Sequence, residues 1–194
     1  MFTRSEIILI IEVIILALLF IPTVMALLIA PWVPTPEKRI LKMLELANIK
    51  PGDKVYDLGC GDGRMVHLAS KVYGANSVGV EFSPLVYAMA RVRNFILSSK
   101  SKVIFADFRK VDLSDAKVVM MYLLPQAVED LRPKFERELP HGAKIISYAF
   151  AIKSLEPTYV EPKNPERNHA PIWIYEIQNG AQKLKDAPGI PANK

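Results

Sequence analysis

Cysteine is nearly absent from this chain of 194 residues: Cys60 stands alone, so no disulfide can close within the chain and no cysteine-rich metal site can form. Histidine is scarce too. His67, His141 and His169 lie far apart without ligand spacing, and a metal is not expected. No internal repeat is visible. The basic residues behind the net charge of +5 are scattered rather than clustered. That pattern reads as a solvated surface, compatible with nearby anionic lipid, and gives no reason to expect nucleic acid as a partner.

Hydrophobic residues are abundant, at 51% with a mean hydropathy of +0.17, and their distribution is uneven. Residues 13–30 read VIILALLFIPTVMALLIA without a charge. Extended by Ile7–Ile11 and by Pro31–Val33, the stretch reaches the length needed to cross a ~30 Å hydrocarbon layer. It is apolar on every face, and Trp32 falls where an interfacial aromatic anchor belongs. A cleaved signal peptide would have a shorter core and a basic leader, whereas Arg4 is answered here by Glu6. A buried hairpin helix of a soluble dimer is the other alternative. The expectation is one transmembrane helix over residues 1–33. Lys38, Arg39 and Lys42 follow it, against Arg4 alone before it, which places the following domain on the cytoplasmic side.

Beyond the apolar segment, helical and strand patterns alternate. Thr35-Pro36-Glu37 has the form of a capped helix start, and Pro51-Gly52 ends that helix. Strands are expected at Val55–Leu58, Ser77–Phe82, Val103–Ala106, Val118–Leu123 and Lys144–Phe150. Helices are expected near Gly63–Val72, Pro84–Leu97 and Gln126–Glu138. This is the signature of an α/β, Rossmann-like, doubly wound parallel sheet over residues 34–178, with Ile172–Ile177 as an antiparallel edge strand. The tail over 179–194, rich in Gly, Pro and Lys, is expected to be disordered.

The chemistry concentrates in Val55-Tyr56-Asp57-Leu58-Gly59-Cys60-Gly61-Asp62-Gly63, a strand running into a glycine-rich turn that opens a helix. Gly59 and Gly61 allow close backbone approach, and free N–H groups at the helix start suit the carboxylate of a bound amino acid. A dinucleotide-binding turn is spaced G-x-G-x-x-G, whereas here the spacing is G-x-G-x-G, with an acid two residues before it. That pattern resembles motif I of class I S-adenosylmethionine (SAM) methyltransferases. The resemblance implies a SAM site built from Asp57, Gly59, Cys60, Gly61 and Asp62. Glu81 with Phe82 would serve the ribose at the second strand end, and Asp107 with Phe108 would hold the adenine at the third.

Further segments narrow the likeness. Pro31-Trp32-Val33-Pro34, Val80-Glu81-Phe82-Ser83-Pro84, Pro125-Gln126 and Leu131–Leu139 resemble the membrane-associated protein-lysine methyltransferases whose members modify the adenine nucleotide translocase and the c-type polypeptide of ATP synthase. The family implies an enzyme that N-methylates a lysine of a small membrane protein. Alternatives are a methyltransferase for a small molecule or lipid, and a SAM-binding scaffold without turnover. The fourth strand end carries Met121-Tyr122-Leu123-Leu124-Pro125-Gln126 in place of an N-P-P-Y pattern, which argues against methylation of DNA adenine or a glutamine amide. No general base stands out. Tyr122, Trp32 and Thr35 are the candidates for lining the substrate pocket.

Overall fold

A seven-stranded sheet in the order β3-β2-β1-β4-β5-β7-β6 organises the computed structural model, which describes residues 3–29, 33–165 and 169–178. Five strands run parallel: β1 (Lys54–Leu58), β2 (Asn76–Glu81), β3 (Lys102–Phe105), β4 (Val118–Met121) and β5 (Lys144–Tyr148). The apolar runs of the inner strands β1, β2, β4 and β5 are buried on both faces because helices cover both, as parallel sheets require, whereas β3 at the edge is partly exposed. The sheet is mixed rather than parallel throughout. β7 (Ile172–Glu176) pairs antiparallel with β5 and β6 (Tyr159–Glu161) antiparallel with β7, so β7 lies inside the sheet and β6 forms the edge. β6 has only three residues, each at least partly exposed, and presents no alternating pattern to read.

The helices are α1 (Arg4–Ile29), α2 (Glu37–Ala47), α3 (Arg64–Tyr73), α4 (Pro84–Ile96), α5 (Pro125–Asp130) and α6 (Arg132–Glu138). Two large clusters and a small one of Cys60, Val66, Ala90 and Val103 fill the space around the sheet. Leu58, Val119, Phe135, Ile145 and Tyr175 belong to one large cluster; Ile40, Leu44, Met65, Met120 and Ile146 belong to the other. The helix expected over Gln126–Glu138 is two helices meeting at Leu131. Pro133 has no N–H to continue the ladder from α5 and sits in the first turn of α6, where that lack costs nothing.

Three expectations for the N-terminal part need correction. Thr35 does not cap α2: the cap position is Pro36, whose carbonyl accepts from the N–H groups of Arg39 and Ile40, and Thr35 is buried. Arg39 is not a lipid-facing cation. It is 4% exposed and pairs with Glu161 of β6 at 2.5 Å while donating to the carbonyl of Ala170. Burial of α2 against the sheet carries Arg39 inward, so it drops out of the flanking charge. The expected membrane span is not matched either: among the described residues no helix is long and apolar enough to cross a membrane. α1 has 26 residues, but Arg4, Glu6 and Glu12 interrupt the part whose side chains are described, and the expected span continues into residues 30–32. Trp32 and the tail over 179–194 lie outside the described residues, as does the Pro31-Trp32 part of the linker.

Candidate active site

The carboxyl ends of β1, β2 and β4 open on one pocket, as expected at the switch point of a doubly wound sheet. Its walls include Asp57, Gly59, Cys60, Gly61, Asp62, Glu81, Phe82, Asp107, Phe108, Tyr122 and Thr35. Residues drawn from motif I, two later strand ends and the N-terminal linker thus converge on a single space.

The turn after β1 is held from behind. The N–H groups of Gly59 and Cys60 both donate to the carbonyl of Val80 at 2.9 and 3.0 Å, locking the loop to β2. Gly59 has φ +75°, and a Cβ there would stand 2.8 Å from Leu123 Cδ2. The conformation demands glycine, and any side chain would also have to displace Leu123. On the other face, Cys60 packs into the gap left by Gly79, where a Cβ would come within 2.6 Å of Sγ. Burial first, then the neighbouring Asp57, Glu81 and Asp62, push its thiol well above the usual range. Cys60 is therefore a small packing residue that stays a thiol.

The acids differ sharply in their surroundings. Glu81 is fixed by three backbone donors: Gly61 N–H at 3.0 Å to Oε2, and Phe82 and Ser83 N–H at 3.0 and 2.8 Å to Oε1. Desolvation nevertheless holds its pKa above the ordinary carboxylate value, against the lowering effect of those bonds. Asp57 is 3% exposed, and its carboxylate accepts no hydrogen bond among the described residues. Burial, then the charges of Glu81 and Asp62, push its pKa up to about 8. A buried, unpartnered carboxylate facing a pocket is costly unless a cation or donor arrives there.

Asp62 and Asp107 instead share one local device. Asp62-Gly63-Arg64 and Asp107-Phe108-Arg109 are both Asp-x-Arg. In each, Oδ1 accepts the arginine backbone N–H and Nε, while Oδ2 accepts Nη2 at 2.9 or 2.8 Å. Burial raises both pKa values, but the guanidinium bonds outweigh it and both end below the ordinary value. Arg93 of α4 adds a second contact to Asp62 at 3.3 Å, and Arg64 reaches the carbonyl of Thr35 at the same distance. These arginines were not singled out from sequence, although the twice-used Asp-x-Arg spacing was there to be read. Val33, Pro34, Ser83 and Val86 also line the pocket. Tyr122 stands just past β4, edge-on to Tyr148 (4.9 Å) and stacked on Phe150 (6.4 Å). Burial and Tyr148 raise its pKa, so it is a neutral phenol.

The ANTKMT methyltransferase domain matches residues 57–159. The chain belongs to that family. A protein-lysine N-methyltransferase of Saccharolobus islandicus is 38% identical, over 76% of this chain and 93% of its own. The adenine nucleotide translocase lysine N-methyltransferase of Mus musculus is 30% identical, over 83% of this chain and 69% of its own. Among solved structures, an RNA methyltransferase from Salinibacter ruber in complex with S-adenosyl-L-homocysteine superposes with a TM-score of 0.73 at 31% identity. The match covers 79% of this chain and all of that one. The family member described here is a SAM-dependent methyltransferase with a Rossmann-like fold.

Proposed function

We propose that the enzyme methylates the side-chain amine of a lysine in a protein held at a membrane. The observation that carries the cofactor part of this reading is the pairing of Asp57 with Glu81. One is a buried carboxylate without a partner; the other is held rigid by three N–H groups and faces the same pocket. They fit the two polar ends of SAM's sugar and amino-acid portions. Asp57 would face the ammonium and Glu81 the ribose hydroxyls, with Gly59 to Asp62 forming the floor. Phe108 offers a buried face for the adenine, and Asp107, oriented by Arg109, marks its polar edge. Bound there, SAM supplies a methyl group on a sulfonium.

The protein's part in an in-line displacement is alignment and exclusion of water. Tyr122, with Tyr148 and Phe150 behind it, provides an aromatic wall beside the methyl-facing end of the pocket. Such a wall suits a lysine's methylene chain, and its ring faces attract an amine before it loses its proton. At pH 7, removing that proton from an ordinary lysine costs about 4.6 kcal/mol. Desolvation against the wall lowers the cost, because burial disfavours the charged form. No carboxylate need act as base.

The lysine reading draws on the relatives, two of which act by name on lysines of the adenine nucleotide translocase and of an ATP synthase polypeptide. The membrane part draws on α1, whose side chains from Arg4 to Ile21 are all exposed although most are apolar. A surface of that kind is stable against lipid or another apolar partner and not against water. The described part of α1 does not by itself span a membrane, so we place the whole N-terminal apolar sequence against the bilayer and the domain on its cytoplasmic side, where Lys38 and Lys42 remain as flanking cations.

Membranes from cells lacking the gene, incubated with full-length enzyme and methyl-labelled SAM, are expected to show label on lysine in a protein band. Label in the lipid extract or in RNA would overturn the lysine assignment. Glu81→Ala is expected to weaken SAM at least tenfold in a calorimetric titration, since each lost charge-assisted bond is worth about 1.5–3 kcal/mol. Unchanged affinity would remove Glu81 from the site.

A further inference from the structure

Helix α4 leaves an apolar face uncovered. Leu85, Met89, Val92 and Ile96 recur at helical spacing along one side, and Phe95 flanks them. All five are exposed, Ile96 at 71% and Phe95 at 86%. The opposite side, through Val86 and Ala90, packs on the sheet. A contiguous patch of this kind on a folded domain marks an interaction surface.

We infer that this face of α4 is a second membrane contact, lying in the interfacial layer of an anionic bilayer and fixing how the domain is oriented about α1. Three observations choose lipid as the occupant. First, α1 packs against α4, so the patch lies on the element that adjoins the helix carrying the exposed apolar surface. Second, residues 84–102 contain Arg91, Lys100 and Lys102, besides the Arg93 that is paired with Asp62, and no acidic residue. Cations around an apolar stripe are the pattern of a helix resting on anionic headgroups. Third, the same cations disfavour a second copy: a two-fold contact through α4 would set like charges against each other.

The consequence reaches the active site. α4 is about 20 Å long at 1.5 Å per residue, and its first turn is part of the pocket: Ser83, before the helix, and Val86 both line it. A helix lying flat in the headgroup layer holds the pocket rim at the lipid surface. α1 alone would leave the tilt of the domain against the lipid surface unset. The inference rests on the membrane reading above, so the test separates the two.

Full-length Phe95→Trp, and separately Ile96→Trp, would be placed in phosphatidylcholine vesicles with and without phosphatidylglycerol, using acyl chains brominated near the headgroups. The parent's Trp32 and Trp173 supply the background, and Tyr159→Trp on the opposite sheet edge is the control. Thermal melts matching the parent confirm that each variant folds. Alkaline carbonate first reports whether the chain stays with the vesicles, which tests α1 by itself. In retained protein, the introduced indole on α4 is expected to be quenched at least about twofold in anionic vesicles and less in neutral ones, with the control unquenched. Retention without quenching overturns the α4 contact while leaving the tether intact. Equal quenching in both lipids overturns the anionic preference. A blue shift that tracks protein concentration and ignores bromine assigns the face to a second copy.

Discussion

Asp57 sets the behaviour of the pocket with pH. Its folded pKa of about 8 lies far above its ordinary value of 3.8, mainly through burial and then through Glu81 and Asp62. Between those values the folded protein holds a proton that the unfolded chain has released, so stability falls as pH rises through the window. Asp57→Asn keeps the shape and removes the charge. Relative to the parent it is expected to gain about 1–3 kcal/mol between pH 5.5 and pH 8.5, with each pH step worth ~1.4 kcal/mol. Urea unfolding at the two values measures this, and parallel pH profiles would refute it. An ammonium seated beside Asp57 ionises it, so SAM binding near pH 7 should release a proton. Calorimetric titrations in buffers of different ionisation enthalpy would report that release. The acids themselves were legible in the sequence, because a glycine-rich turn and strand ends are local features. Their electrostatic roles were not: Asp57 and Asp62 are five residues apart, yet one is unpartnered and the other held by Arg64 and Arg93. Which acid an arginine reaches is settled by tertiary distance.

Elements built on hydrophobic period, β1 to β5 and α2 to α4, stand close to where their patterns placed them. Those held by polar contacts do not announce themselves. β6 is too short for a pattern, and its Glu161 anchors it to α2 through Arg39, whose guanidinium also lies 5.7 Å from the centre of the Tyr148 ring. In sequence, Arg39 looks like any cation following an apolar segment. Only its place on the inner side of α2 turns it into a tie across 122 residues. Arg39→Leu leaves Glu161 largely buried without its partner, and a loss of about 3–5 kcal/mol is expected. Adding Glu161→Leu should recover most of that, since replacing both charges with apolar groups removes the stranded carboxylate. Chemical unfolding of the single and double variants measures both effects. A double variant as weak as the single would mean that the pair matters for packing rather than for charge.

At the scale of the whole molecule, the question is what α1 adds to a domain whose core does without it. No α1 residue belongs to the described hydrophobic clusters, and the sheet closes around α2 and the later elements. The linker is different: Val33, Pro34 and Thr35 line the pocket, and Arg64 holds the carbonyl of Thr35. A cut before residue 31 therefore spares the pocket wall and removes the apolar helix. Confining enzyme and substrate to one thin layer raises their effective concentration without any new contact. Removal of residues 1–30 is thus expected to leave SAM affinity and the methylation of a soluble lysine peptide unchanged. Methylation of the membrane-held substrate should fall by at least about tenfold, within the range that tethering gives. Initial rates on both substrates at equal enzyme concentration provide the measurement. Equal losses on peptide and membrane substrate would show that α1 supports the fold. No loss on either would show that the domain finds its lysine without a tether, and α1 would then serve another contact, such as one between copies of the enzyme.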